Sequence, residues 1–131
     1  MKSDIEVKSD VYQAVVSCGL KDSINGVVTT TKRDVNSTTE DIVISVSANS
    51  IGQVQKAFVY VNLYVQDIKK GTQKVENTAR LRILSSLCLE KLRSFIGDTF
   101  RMELTDQRVI EVGETKEHVI ANTLLYQNFN Y

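Results

Sequence analysis

At 131 residues, 42% of them hydrophobic, the chain is long enough for one compact domain, spanning 1–131, and too short for two domains of ordinary size. Sixteen basic residues balance sixteen acidic ones, which excludes a whole-molecule field drawing it to nucleic acid or an anionic membrane and favours binding by shape and apolar contact. The charged N-terminus MKSDIEVKSD lacks the apolar centre of a signal peptide and no run reaches the length of a membrane span, so a reducing cytoplasm is expected, with Cys18 and Cys88 as buried free thiols.

Ser9 or Asp10 is placed to cap a first helix that carries Val11, Tyr12, Val15, Val16 and Leu20 on one face and ends at Gly19. Ile24-Asn25-Gly26 turns the chain into a short strand at Val27 to Thr31. Lys32 to Glu40 is rich in residues that hydrogen-bond their own backbone, so a mobile loop is expected, with Asn36-Ser37-Thr38 as a polar turn.

In DIVISVSA, Ile42, Ile44, Val46 and Ala48 alternate with Asp41, Val43, Ser45 and Ser47, the pattern of a half-buried strand. The adjacent Glu40 and Asp41 point to opposite faces, cannot share a proton or an ion, and read as its solvated start. Asn49-Ser50-Ile51-Gly52 links this strand to the next as an antiparallel hairpin.

That next strand, AFVYVNLYVQDI, is apolar on both faces: Val59, Val61, Leu63 and Val65 on one, Phe58, Tyr60 and Tyr64 with Asn62 on the other. A helix capped by Asn77 and stopped by Gly97 is expected to cover the aliphatic face with Leu81, Leu84, Cys88, Leu92 and Phe95, while Ile83 and Leu87 meet the first helix. TFRMELTD alternates cleanly as a strand, and Asp106 to Glu117 reads equally as a strand extension or a folded loop. The last stretch, HVIANTLLYQNFNY, is strand-like and apolar on both sides. The fold class expected is α+β, a mostly antiparallel sheet in the order α-β-β-β-α-β-β with two helices packed on one face.

Catalytic chemistry leaves no trace in this sequence. His118 is the only histidine, Ser85-Ser86 lacks the glycines of a nucleophile elbow, and the glycines never cluster as a phosphate loop. No catalytic residue, metal ligand, cofactor or small-molecule substrate is expected. His118 reads as a surface or packing residue.

The aromatic face is the informative feature. Phe58, Tyr60 and Tyr64 could act as a stacking platform for single-stranded nucleic acid in a monomeric binder, but Asp67 and Glu76 interrupt the nearby lysines Lys56, Lys69, Lys70 and Lys74. Burial against protein is the favoured alternative: a closed ring of copies would bury every such patch, and a second layer of the same chain, from the C-terminal hairpin and the loop, would equally keep the face dry. The interface set comprises Phe58, Tyr60, Tyr64, Tyr126 and Phe129, with Lys32 and Arg33 as loop contacts.

INGVVTTTKRDVNSTTEDIVISVSA, then FVYVNLYVQDI, a polar connector, the helix NTARLRILSSLCLEKL and a final strand pair resemble, in order and texture over nearly the whole chain, the small tail-completion or tail-terminator proteins of long-tailed phages and prophages. The resemblance rests on Ile24-Asn25-Gly26, on Asn36-Ser37, on Glu40-Asp41-Ile42-Val43-Ile44 and on Tyr64-Val65-Gln66-Asp67; the family pattern has a proline after Arg33, where Asp34 stands here. It implies a non-enzymatic virion assembly protein that forms a homo-oligomeric ring, often a hexamer, at the head-tail connection. The ring would stop tail-tube growth and meet tail-tube and neck proteins, first in the host bacterial cytoplasm and then in the virion tail.

Overall fold

A capping box starts the first helix. The computed structural model describes residues 2–129, with side chains through Asn128, and its helix α1 runs Asp4–Ser17. Ser3 Oγ accepts from Glu6 N at 3.3 Å while Glu6 Oε1 accepts from Ser3 N at 3.1 Å, satisfying two otherwise orphaned donors. The cap expected at Ser9 or Asp10 is therefore corrected: both lie inside the helix. Val7 joins Val11, Ala14 and Val15 as its buried stripe. The helix ends before Gly19, whose φ of 85° suits a residue without a Cβ, and a short 3-10 turn, Leu20–Ser23, follows.

Strand β1 (Val28–Thr29) lies parallel to β2 (Ile42–Ser50), and β2 pairs antiparallel with β3 (Val54–Gln66). A small separate ribbon, β4 (Ile68–Lys70) and β5 (Gln73–Val75), then leads to α2 (Thr78–Lys91), β6 (Ser94–Ile96), β7 (Phe100–Val112) and β8 (Glu117–Phe129). The main sheet has six strands in the order β1-β2-β3-β8-β7-β6. Its class is α+β, as expected. The expected strand order is corrected in detail: the β4–β5 ribbon and β6 are additional, and the parallel β1–β2 pair makes the sheet mixed.

Asn77 caps α2 as expected, its side chain accepting from Arg80 N at 3.2 Å. The helix does not run to Gly97, however. It is capped at Leu92, and Ser94–Ile96 pairs with β7, where Phe95 opposes Met102 and stacks on Phe100 at 5.7 Å between ring centroids. Gly97 serves the turn between β6 and β7, where a Cβ would strike the Phe100 ring. Ile83 is exposed and does not join the helices, whereas Leu87 packs against the core.

The undecided segment is a strand extension: β7 continues to Val112, which pairs with Glu117 across a tight turn. β8 thereby lies between β3 and β7 along its full length. One continuous core forms on the helix side of the sheet, where the aliphatic set of β3 and Ile42, Ile44, Ile120 and Leu124 meet the stripe of α1 and Leu81, Leu84, Cys88 and Leu92. Both cysteines are free; Cys18 is half-buried, and burial pushes the Cys88 thiol up to about 11. Among the described residues no helix is long and apolar enough to cross a membrane.

Candidate interaction face

Because side chains alternate along a strand, burying Val59, Val61, Leu63 and Val65 against the helices turns Phe58, Tyr60, Asn62 and Tyr64 to the opposite face. There Phe58 opposes Leu125 and Ala48, Tyr60 opposes Thr123 and Ser45, and Asn62 opposes Ala121 and Val43. Phe58 is 44% exposed and Tyr60 38%, in the middle of a six-stranded sheet. Asn62 Oδ1 is buried on this face without a hydrogen-bond partner.

Tyr64, the third aromatic, is half-buried because the 32–40 loop reaches over it. The Arg33 guanidinium lies 4.4 Å from the Tyr64 ring centroid, a cation-π contact. Its Nε donates to Asp41 Oδ2 at 2.7 Å, one terminal nitrogen lies 2.6 Å from Glu117 Oε2 and the other donates to Thr39 O at 2.6 Å. Gln66 donates to the same Glu117 oxygen at 2.5 Å. Arg33, expected as a loop contact, is thus a clamp within its own chain. Lys32 remains exposed.

Asp41 gathers further donors from Ser37 Oγ, Thr39 Oγ1 and Val27 N. Burial by itself would raise its pKa, but the hydrogen bonds from Ser37, Arg33, Val27 and Thr39 prevail and hold the carboxyl down at about 2. Burial would likewise lower the Arg33 pKa, and its bonds to Asp41 and Glu117 raise it instead. These contacts correct the expectation of a mobile loop. Asp34 builds a turn by accepting from Asn36 N at 2.9 Å on its side chain and from Ser37 N at 3.0 Å on its carbonyl.

Glu40 points the other way and is held by Arg80, whose Nε and one terminal nitrogen donate to its two oxygens at 2.6 and 2.8 Å. The same guanidinium reaches Ser23 O at 2.7 Å, tying α2 to the turn after α1. Glu40 and Asp41 do face opposite sides, but both are buried, so the solvated strand start is corrected. Each carboxylate has its own arginine.

Tyr126 is corrected as an interface residue. It opposes Ala57 and Met102 on the helix side, is wholly buried, stacks on Phe100 at 5.2 Å and donates its hydroxyl to Asp10 Oδ2 at 2.5 Å. Burial, then the Asp10 carboxylate, raise its pKa. The side chain of Phe129 lies outside the described residues.

Sequence reasoning also missed the polar groups that fix the rim of the face: Asp41, Glu117 and Gln66. Gln66 and Glu117 are far apart in the chain, and the acidic pair Glu40-Asp41 at the start of the strand was the only local signal. Among the described residues no three His, Cys, Asp or Glu side chains are grouped to hold a metal ion. A comparison with protein-family models gives no match, and neither does one with curated proteins.

Proposed function

We propose that this chain is a structural assembly subunit of a phage or prophage tail, of the completion or terminator kind, which forms a ring of copies that caps the tail tube at its head-proximal end. The observation that carries the reading is the outer sheet face: Phe58 and Tyr60 stand open at its centre, with both helices packed on the other side. Large rings exposed on a central strand mark a surface that gains by meeting protein. Repeated head-to-tail contacts that close on themselves cover such a patch in every copy. The resemblance in element order and in the segments around Asn25-Gly26, Glu40-Asp41 and Tyr64 to Asp67 supplies the tail context.

In this reading Phe58 and Tyr60 enter the interface directly, Lys32 touches a neighbour from the loop, and Tyr64 contributes through the edge left by Arg33. A single-stranded nucleic-acid platform on the same aromatics has less support, because Arg33 already covers Tyr64 and its charge is matched by Asp41 and Glu117. Native mass spectrometry over a concentration series tests the assembly reading. A closed oligomer, alone or on addition of a tail-tube subunit, is the expected result; a monomer under both conditions at high concentration overturns it.

A further inference from the structure

Asp67 and Glu76 bracket the β4–β5 ribbon, one at each foot, and both turn toward a single imidazole. His118 Nδ1 lies 2.6 Å from Asp67 Oδ1, and Nε2 lies 3.7 Å from Glu76 Oε1. The imidazole and Asp67 are nearly buried, with side-chain exposures of 12% and 7%, while Glu76 is open at 45%. Asp67 N also donates to Lys116 O at 3.0 Å, and Glu76 accepts from Thr78 Oγ1 at 2.7 Å at the start of α2.

An ionised carboxylate only accepts, so Nδ1 carries a hydrogen toward Asp67. In the neutral ring this leaves the Nε2 lone pair facing the Glu76 carboxylate, with nothing to donate. Protonation places a donor on Nε2 and makes the second contact attractive. Glu111 of β7, the cross-strand partner of His118, acts in the same direction. On the β3 side the partner is the apolar Val65, and Arg80 of α2 is bound to Glu40.

The ribbon needs this foothold. Ile68 to Lys74 are all exposed, and an isolated two-stranded ribbon is marginal in water. Lys69 sits directly opposite Lys74, a like-charge pair that weakens it further. No salt bridge among the described residues engages Lys69, Lys70 or Lys74.

We propose that His118 is a proton-operated clasp for this cationic ribbon. As imidazolium it ties both feet to β8; as neutral imidazole it holds the Asp67 foot alone. Acidification thereby fixes the direction in which the lysines project, and this inference is independent of the assembly reading.

Amide hydrogen exchange of residues 68–75, corrected for intrinsic rates, tests it between pH 8 and pH 5. Protection is expected to rise about two- to five-fold on acidification, as suits a partly exposed ion pair. Glu76→Gln, which keeps the buried Asp67 contact, is expected to abolish the rise. His118→Asn, whose amide can still donate to Asp67, is expected to hold protection at the lower level throughout. A flat wild-type profile, or a full rise in either variant, overturns the clasp.

Discussion

At the residue scale, the Arg33 clamp makes two predictions. The Asp41 carboxyl is held at about 2, below its ordinary 3.8, so between those values the folded chain binds fewer protons than the unfolded one. Stability from this group is complete above about pH 4 and is lost as pH falls toward 2, on the order of 2 kcal/mol in all. Urea midpoints at neutral pH and near pH 3 should therefore show a shallower acid loss in Asp41→Asn than in the wild type; equal losses would remove the clamp as the cause. Arg33→Met is more severe, because it leaves two carboxylates that are 2% and 1% exposed facing each other without their cation. A loss of about 3 to 5 kcal/mol is expected from equilibrium unfolding, with little recovery by Arg33→Lys, which cannot reproduce the forked contacts to Asp41, Glu117 and Thr39.

At the element scale, α1 tests what its sequence signals are worth. Ser3→Ala removes the cap and should cost about 1 kcal/mol, while Ser9→Ala, exposed in mid-helix, should stay within about 0.5 kcal/mol. The opposite ranking would restore the later start that the apolar spacing suggests. The alternating runs of β3, β7 and β2 were legible, since period-2 burial is written locally in the chain, but in β2 only as far as the bulge after Val46, beyond which Ala48 turns to the face of Phe58 instead of joining Ile42 and Ile44. Three other features were not. The apolar row from Leu81 to Phe95 continued through the end of α2, because Phe95 is as apolar on β6 as it would be on a helix; only its pairing with Met102 decides the matter. In β8, Tyr126 and Leu125 look equally able to line an interface, and the choice between faces is made by register against Ala57 and Met102. The polar connector gave no apolar pattern from which to infer the β4–β5 ribbon.

At the scale of the whole molecule, the two faces of β3 allow the fold and the proposed assembly to be tested separately. Leu63 is wholly buried on the helix side, and one residue later the chain presents Tyr64 to the other face, four residues on from Tyr60. Leu63→Ala should cost about 2 to 5 kcal/mol of stability through the cavity it leaves, yet folded chains would still carry an intact outer face, and any association through that face should be unchanged. Tyr60→Ser should do the reverse. Its ring is already 38% exposed in the lone subunit, so the melting temperature of the monomer should change little. If the outer face is a contact between copies, removing a central aromatic weakens association on the order of 30-fold or more. Sedimentation velocity and thermal unfolding of both variants, run side by side below and above the association concentration, read the two effects independently. Tyr60→Ser that assembles like the wild type would detach this face from the oligomer and move the interface to the loop around Lys32 or to the sheet edges.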